Sequence, residues 1–295
     1  MPAIEVFVCA RPVALLDGTA AVDEQGTGVD PAVRRWGDDP AAAFALEAAL
    51  RLRETGQVES VVCVSVGPVE YDGWLARGLA TGADRALRVD LPGQGGLDAR
   101  ATGALLGAAL GRLGARLVLT AQRSSDEQNG LLAAALAADL DAAYLANVVE
   151  LRLQGDGLAV ERRLERGHRQ MWAADLPAVV AFEAGANRPR YVPVAALAMA
   201  RHREIELLAV DELGVKPESL PRFTERVGLA RGRVRVRKSA VPGAGGSAAQ
   251  RLQAVMGGGD TGAGGKLLSG STDELADRAL DFLEERGLLR GRSTR

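Results

Sequence analysis

Two histidines and two cysteines are all that this chain of 295 residues offers for metal ligation, thiol chemistry or a histidine base. His168 and His202 stand apart, neither with a second ligand at metal spacing, which argues against a zinc site and removes the usual base of a catalytic triad. Cys9 and Cys63 each lie in a Val-rich run without C-x-x-C spacing, so they read as small buried apolar residues, and no disulfide scaffold is expected. An excess of one charge is also missing. The 36 Lys+Arg and 38 Asp+Glu leave a formal net charge of −2, which argues against nucleic acid as a partner, because phosphate binding needs a net or localised positive field. No apolar run approaches the roughly 18 residues that span a bilayer. The start, Met1-Pro2-Ala3-Ile4-Glu5, has no basic stretch ahead of an apolar one, so a cytoplasmic protein without membrane insertion is expected. Aromatic residues make up only 4%, and with 36 glycines and abundant alanine the core has to be built from Ala, Leu and Val.

What the chain does have is alternation. Ile4 to Cys9 is a short apolar run ending near Pro12, which suits a buried strand leaving a sheet, and a long loop is expected after it. Asp39 caps a helix that begins at Pro40 and runs to Arg53, with Phe44, Leu46, Ala49, Leu50 and Leu52 at helical spacing. Val61 to Val66 reads as a strand ending at Gly67-Pro68, followed by a helix from about Tyr71 to Thr81 closed by Gly82. Ala86 to Val89 is the next strand, Asp98 caps a helix through Leu113, Leu117 to Leu119 is a strand, and Gly130 to Leu140 is a helix. Strands separated by helices with short breaks predict parallel strands and right-handed crossovers. The expected fold is therefore α/β, a Rossmann-like doubly wound parallel sheet.

After about Ala142 the period becomes alternating. Val148 to Leu153, the turn Gln154-Gly155-Asp156-Gly157, and Leu158 to Arg162 predict a β-hairpin insertion at about 146–165. Pro177 to Phe182 is a further strand. The domain expected from this pattern covers residues 1–215. Residues 216–295 read as an extended C-terminal arm, because the Gly-rich stretches Gly243 to Ser247 and Gly257 to Gly259 cannot bury enough apolar area for a core of their own. The arm ends in an amphipathic helix that starts at Ser271-Thr272 and stops at Gly287, with Leu275, Leu280 and Leu283 available to pack on a partner.

In an open parallel sheet the ligand lies beyond the carboxyl ends of the strands, where helix N-termini present unpaired N–H groups. That selects the segment from Cys9 through Arg11 to Val13, the turn Val66-Gly67-Pro68, and the polar loop Ala121 to Gly130 containing Gln122, Arg123, Ser124, Asp126 and Asn129. A nucleotide phosphate can be held in that loop; the plainer reading makes Asp126 and Asn129 helix caps only. Gly93-Gln94-Gly95-Gly96 lacks the strand and the third glycine of a dinucleotide fingerprint, and Gly265-Lys266 lacks the first glycine and the Ser/Thr of a phosphate loop. Arg231, Arg233, Arg235 and Arg237 read as a solvated strand face.

Several motifs resemble those of the β subunit of electron-transfer flavoproteins. Val160-Glu161-Arg162-Arg163-Leu164-Glu165-Arg166-Gly167, then Leu176-Pro177-Ala178-Val179-Val180, then Asn187-Arg188-Pro189-Arg190-Tyr191 are similar to the family's V-E-R-x-x-E-G-G, L-P-A-V-V and N-E-P-R-Y. The resemblance is clear over about residues 4–212 and extends to Ser65-Val66-Gly67-Pro68 and Thr81-Gly82-Ala83-Asp84-Arg85-Ala86.

It implies an adenine-nucleotide α-hydrolase-like fold and an electron carrier, not an enzyme. The implied partners are an α subunit that holds most of the FAD, a flavin dehydrogenase as donor, and a quinone oxidoreductase or similar acceptor. The cleft implied for this subunit takes AMP, or a second FAD in electron-bifurcating relatives. Carried over by position, Cys9 falls near adenine, Arg11 replaces a Lys, Asp39 replaces an Asn, Val66 and Gly67 form the turn that touches the nucleotide, and Asp126 matches the loop acid. Tyr191, Val194 and Leu197 fall in the segment that docks a dehydrogenase, with Val194 as apolar anchor. Three departures stand out: Leu131 in place of a phosphate-facing Gln, Leu16 where some members have Tyr, and Val194 to Arg201 in place of a Lys-rich segment. They leave a nucleotide leaning on backbone N–H groups and Asn129. Two other readings remain open at this point, a stand-alone nucleotide-binding protein or hydrolase, and a structural subunit with an empty cleft.

Overall fold

Short β-branched runs with no polar position inside them can only be satisfied where both faces are covered, and that is where the structure places them. The computed structural model describes residues 4–9, 11–16, 34–91, 97–216, 219–223 and 269–285. The chain divides into two compact units, Met1–Gly232 and Arg233–Arg295. The Gly93 to Gly96 and Gly265-Lys266 segments, the Arg231 to Arg237 alternation, the Gly-rich arm and the stop at Gly287 lie outside the described residues.

The first unit is built on a nine-stranded sheet. Its strands are β1 (Glu5–Cys9), β4 (Ser60–Gly67), β5 (Arg85–Asp90), β6 (Leu117–Ala121), β7 (Ala143–Gln154), β8 (Gly157–Arg163), β9 (Arg169–Asp175), β10 (Ala178–Phe182) and β11 (Glu206–Ala209). The order is β11-β5-β4-β1-β6-β10-β7-β8-β9. All pairs from β11 to β7 are parallel, while β7–β8 and β8–β9 are antiparallel. The helices are α1 (Pro40–Glu54), α2 (Asp72–Thr81), α3 (Ala99–Arg112), α4 (Leu132–Asp139) and α5 (Val194–Ala200). One buried cluster joins α1 and α2 to one face through Ala45, Leu50, Leu75, Val6 and Cys63; the other joins α3 and α4 to the opposite face through Leu105, Leu136, Phe7 and Val62. The core is thus largely Ala, Leu and Val.

Small residues let the helices approach. A Cβ on Gly78 of α2 would meet the Cys63 Sγ at 2.6 Å, and one on Gly103 of α3 would meet the Ala135 Cβ at 2.9 Å. After β5 the chain returns across the sheet so that β6 lands beside β1, opposite β4. The order of strands therefore reverses at β1, which opens a crevice beyond the carboxyl ends of β1 and β6.

Three elements differ from the sequence expectation. The stretch after β1, expected as one long loop, includes a two-stranded ribbon of β2 (Val13–Leu16) and β3 (Arg34–Gly37), paired antiparallel. Its strands are four residues each and far apart in sequence, so no local turn signal announces them. Helix α4 starts at Leu132, not Gly130, because Gly130 has φ +66° and Asn129 Oδ1 takes the Leu131 N–H at 3.0 Å. The chain beyond Pro217 stays on the domain at Leu220, which is buried beside Val210, and at Phe223, whose N–H donates to Asp98 Oδ2 at 2.6 Å.

In the second unit the described helix is α6 (Thr272–Glu285). Ser271 and Glu274 cap it reciprocally, with the Ser271 N–H donating to Glu274 Oε2 at 2.9 Å and the Glu274 N–H reaching Ser271 Oγ at 3.4 Å. Leu280 and Phe282 are exposed on it. Among the described residues no helix is long and apolar enough to cross a membrane.

Candidate functional site

The crevice at the strand reversal is a cleft of about 570 Å³ including its open mouth. Cys9 and Arg11 line it from the exit of β1, Asp39 and Ala42 from the start of α1, Asp98, Ala99 and Thr102 from the start of α3, and Thr120 to Ser124 with Glu127, Asn129 and Gly130 from the exit of β6. Of the residues selected from sequence, the cleft brings together Cys9, Arg11, Asp39, Gln122, Arg123, Ser124, Asn129 and Gly130. It does not include Val66, Gly67, Asp126 or Leu131.

The turn at Val66-Gly67 is closed from above. Val66 is buried, and the Tyr71 ring lies where a side chain on Gly67 would stand. Trp36 meets Tyr71 edge-on at 5.2 Å, so the β2–β3 ribbon seals the same place. Beneath it the buried Arg88 guanidinium donates to Asp72 Oδ1 at 2.6 Å, to the Gly67 carbonyl at 3.1 Å and to Asp90. Leu131 is exposed because α4 starts after it.

Most polar groups in the cleft are already committed. Arg11 donates to Asp126 Oδ2 and Oδ1 at 2.8 and 3.1 Å and to Glu127 Oε1 at 2.9 Å. Burial works against ionising Asp126, but the Arg11 charge and hydrogen bonds from Ser124, the Glu127 N–H and Arg11 outweigh it and hold its carboxyl below the usual range. Asp39 Oδ1 accepts from the Ala41 N–H at 3.0 Å and from Ser125 Oγ at 2.5 Å. Asp98 Oδ1 accepts from the Arg100 and Ala101 N–H groups at 3.0 and 2.9 Å. Two of the helix N-termini at the cleft are therefore capped by this chain's own carboxylates. Gln122 is fixed from both ends, its N–H donating to the Phe182 carbonyl and its Oε1 accepting from the Asn147 N–H, each at 2.7 Å. The Cys9 thiol is pushed far up by burial and Cys63 up to about 12 by the same cause, so both stay protonated.

Arg123 is the exception: its guanidinium has no ion pair or hydrogen bond among the described residues. Its stem passes Gly130, where an added Cβ would lie 3.3 Å from the Gln122 carbonyl oxygen and 3.4 Å from the Arg123 Cγ. Gly130 at φ +66° thus lets the loop close under Arg123, beside the start of α4. Sequence reasoning missed Ala42, Leu97, Asp98, Ala99, Thr102, Thr120 and Leu132 as lining residues, and took Glu127 only as part of the selected loop. Asp98 was legible as a cap, and caps at the carboxyl edge of a parallel sheet face the crevice.

Because ionising Asp126 is favoured only in the folded chain, its contribution is complete above its ordinary value of about 3.9 and is lost as pH falls through the lower folded value. Arg11→Met is expected to flatten this acid limb. Urea midpoints taken from pH 6 down to pH 3 check it, and an unchanged slope would mean the pair does not form in solution.

The segment around Tyr191 lies outside the cleft. Tyr191 is 82% exposed, Val194 74% and Met199 74%, while Leu197 is half-buried. At the other end of the sheet, Trp172 on β9 stands opposite buried Val160 in register, so it continues the core face past the last helix, and it is 43% exposed under the Arg162 guanidinium at 4.4 Å.

A sequence model described as "Electron transfer flavoprotein domain" matches residues 34–213. The chain is similar to the electron transfer flavoprotein subunit beta of Methylophilus methylotrophus, 30% identical over 81% of this chain and 89% of that protein. It is also similar to the subunits of the same name from Homo sapiens, 29% identical over 73% of this chain and 85% of that protein, and from Mycobacterium leprae, 30% identical over 63% and 69%.

Proposed function

Since the chain belongs to the electron transfer flavoprotein β-subunit family, we propose that it works as the β half of a heterodimer whose α subunit carries FAD, relaying electrons from a flavin dehydrogenase to a quinone reductase or similar acceptor in the cytoplasm. The observation that carries this reading is the pair of separate apolar exposures on one domain. A carrier needs one lasting contact and one brief contact, and these differ in size and character. The core face that runs on through Trp172 suits the lasting one, a surface continuous with a hydrophobic interior. The small exposed cluster of Tyr191, Val194 and Met199 suits the brief one. The C-terminal arm, expected from sequence over residues 216–295, is proposed to wrap the α subunit beyond the stretch at Leu220 and Phe223 that stays on this domain.

The cleft's donor set fits a single adenine mononucleotide better than a dinucleotide. Ala42, Leu97, Ala99, Ala121 and Leu132 give a flat base apolar walls, Cys9 lies among them, and Arg123 with the Gly130 turn and Asn129 faces a phosphate. A pyrophosphate would have that one uncommitted cation against Asp39, Asp98 and Glu127. AMP is accordingly the proposed occupant and a second FAD is not. Bound flavin supplies one-electron exchange; this chain supplies shape, shielding from water and contact surface.

Co-expression with the α subunit tests the assignment. A yellow heterodimer holding one FAD, and AMP released by acid extraction, are expected. A chain that is recovered alone, colourless and hydrolysing ATP would replace this reading with that of a stand-alone hydrolase, and a heterodimer yielding FAD but no adenine mononucleotide would leave the cleft structural.

A further inference from the structure

Helix α5 is seven residues long, has no side-chain cap at its start and buries only Ala200, so its own hydrogen bonds do not hold it in place. It packs against α2 through Ala200, and its position is fixed further from both ends. After it, Arg203 donates to the carbonyls of Ala83 and Asp84 at 3.3 and 2.6 Å. Before it, the loop of Asn187 to Arg190 lies along one stripe of α1 formed by Phe44, Glu47, Arg51 and Glu54, which helical spacing puts on a single face.

Glu47 is the centre of that stripe and only 5% exposed. It accepts from Arg190 Nε at 2.8 Å, from Arg190 Nη2 and the Arg190 N–H at 3.2 Å each, and from Arg51 Nε at 2.9 Å. Arg190 Nη1 reaches Glu54 Oε1 at 2.6 Å, and Asn187 Nδ2 donates to the Phe44 carbonyl at 2.8 Å. A buried carboxylate with four donors on it is an anchor rather than a solvated surface charge.

Tyr191, the next residue after this anchor, is the most exposed of the large apolar side chains in the described chain. We propose that Glu47, acting through Arg190, is a positioning residue that fixes the Tyr191 to Met199 segment in advance, so that a partner protein meets an ordered surface and not one it must first organise. The proposal rests on the reading of that segment as the brief docking contact. Pre-ordering reduces the entropy lost on association, which matters most for a small contact that must form and break quickly.

The test uses the intact heterodimer. In Glu47→Gln, which keeps the side chain's shape and removes its charge, amide exchange at Leu197 and Arg201 is expected to quicken at least tenfold. These two amides bond the Pro193 and Leu197 carbonyls. Exchange at Val62 and Val64 in β4 is expected to stay unchanged. Arg190→Lys, which keeps the charge but loses the fork, is expected to fall between wild type and Glu47→Gln, and it carries the comparison should Glu47→Gln not fold. With the dehydrogenase recovered beside the heterodimer from its own cell as electron donor, KM for the flavoprotein should rise about tenfold and kcat stay within twofold. No change in exchange, or an equal rise across the sheet, overturns the latch. Local quickening with an unchanged KM leaves the latch standing and overturns the docking role of the segment.

Discussion

If the proposed heterodimer forms through this face, Trp172→Asp is expected to abolish recovery of the chain with the proposed α subunit, weakening the pair by at least about 100-fold, the scale of losing a central aromatic anchor. The side chain is paired in register with Val160, which is fully buried, yet is itself 43% exposed. A carboxylate there would have to be desolvated in the complex without a partner, which adds to the lost apolar contact. What Trp172 gives the monomer is its contact with Arg162, about 0.5–1 kcal/mol, and its cross-strand pairing with Val160, of similar size, so the single chain should lose far less than the pair does. Sedimentation of the co-expressed pair measures the first effect, and urea unfolding of the single chain the second. Normal heterodimer affinity in the Trp172→Asp variant would place the partner on another surface.

Phe182→Ala should show the opposite pattern, a stability loss of about 3–5 kcal/mol with any effect on partner binding secondary. Phe182 ends β10 between β6 and β7 and is among the largest fully buried side chains. Its removal leaves a void on the sheet face that α1 covers, among side chains already packed into one buried cluster. The same residue's carbonyl holds the Gln122 N–H at the proposed nucleotide cleft, so any retention of the proposed AMP is expected to fall with stability. Urea unfolding at constant slope checks the magnitude. A loss below about 1 kcal/mol would mean that the strands collapse onto the site.

The two expected results draw on different parts of the molecule's legibility. The helices at Pro40 and after Asp98 were readable because capping is local: Asp39 and Asp98 each bond N–H groups two or three residues ahead. The parallel sheet was readable from the same kind of signal, apolar runs too short for helices and bounded by Gly and Pro. The flavoprotein motifs were readable as strings, and the structure supplies the physical reason for one of them, since Arg190 of Asn187-Arg188-Pro189-Arg190-Tyr191 ends on buried Glu47.

The cleft was legible only in outline. That Cys9 and the Ala121 to Gly130 loop would face it followed from the carboxyl-edge rule. That Arg11 would be neutralised could not be read, because its partners Asp126 and Glu127 lie 115 and 116 residues away. Nor could the closing of the Val66-Gly67 turn, which depends on Tyr71 meeting Trp36 from a ribbon with no local signal.

By itself, then, the sequence determined the order and type of the elements, their caps, the make-up of the core and the family. Each of these rests on neighbours within a helical turn or a strand, or on the string itself. The tertiary structure decided which charges remain free, which turn is sealed, and where apolar surface is left uncovered. Those outcomes are differences between long-range partners competing for the same group, and such competition is settled only when the strands have taken their places beside one another.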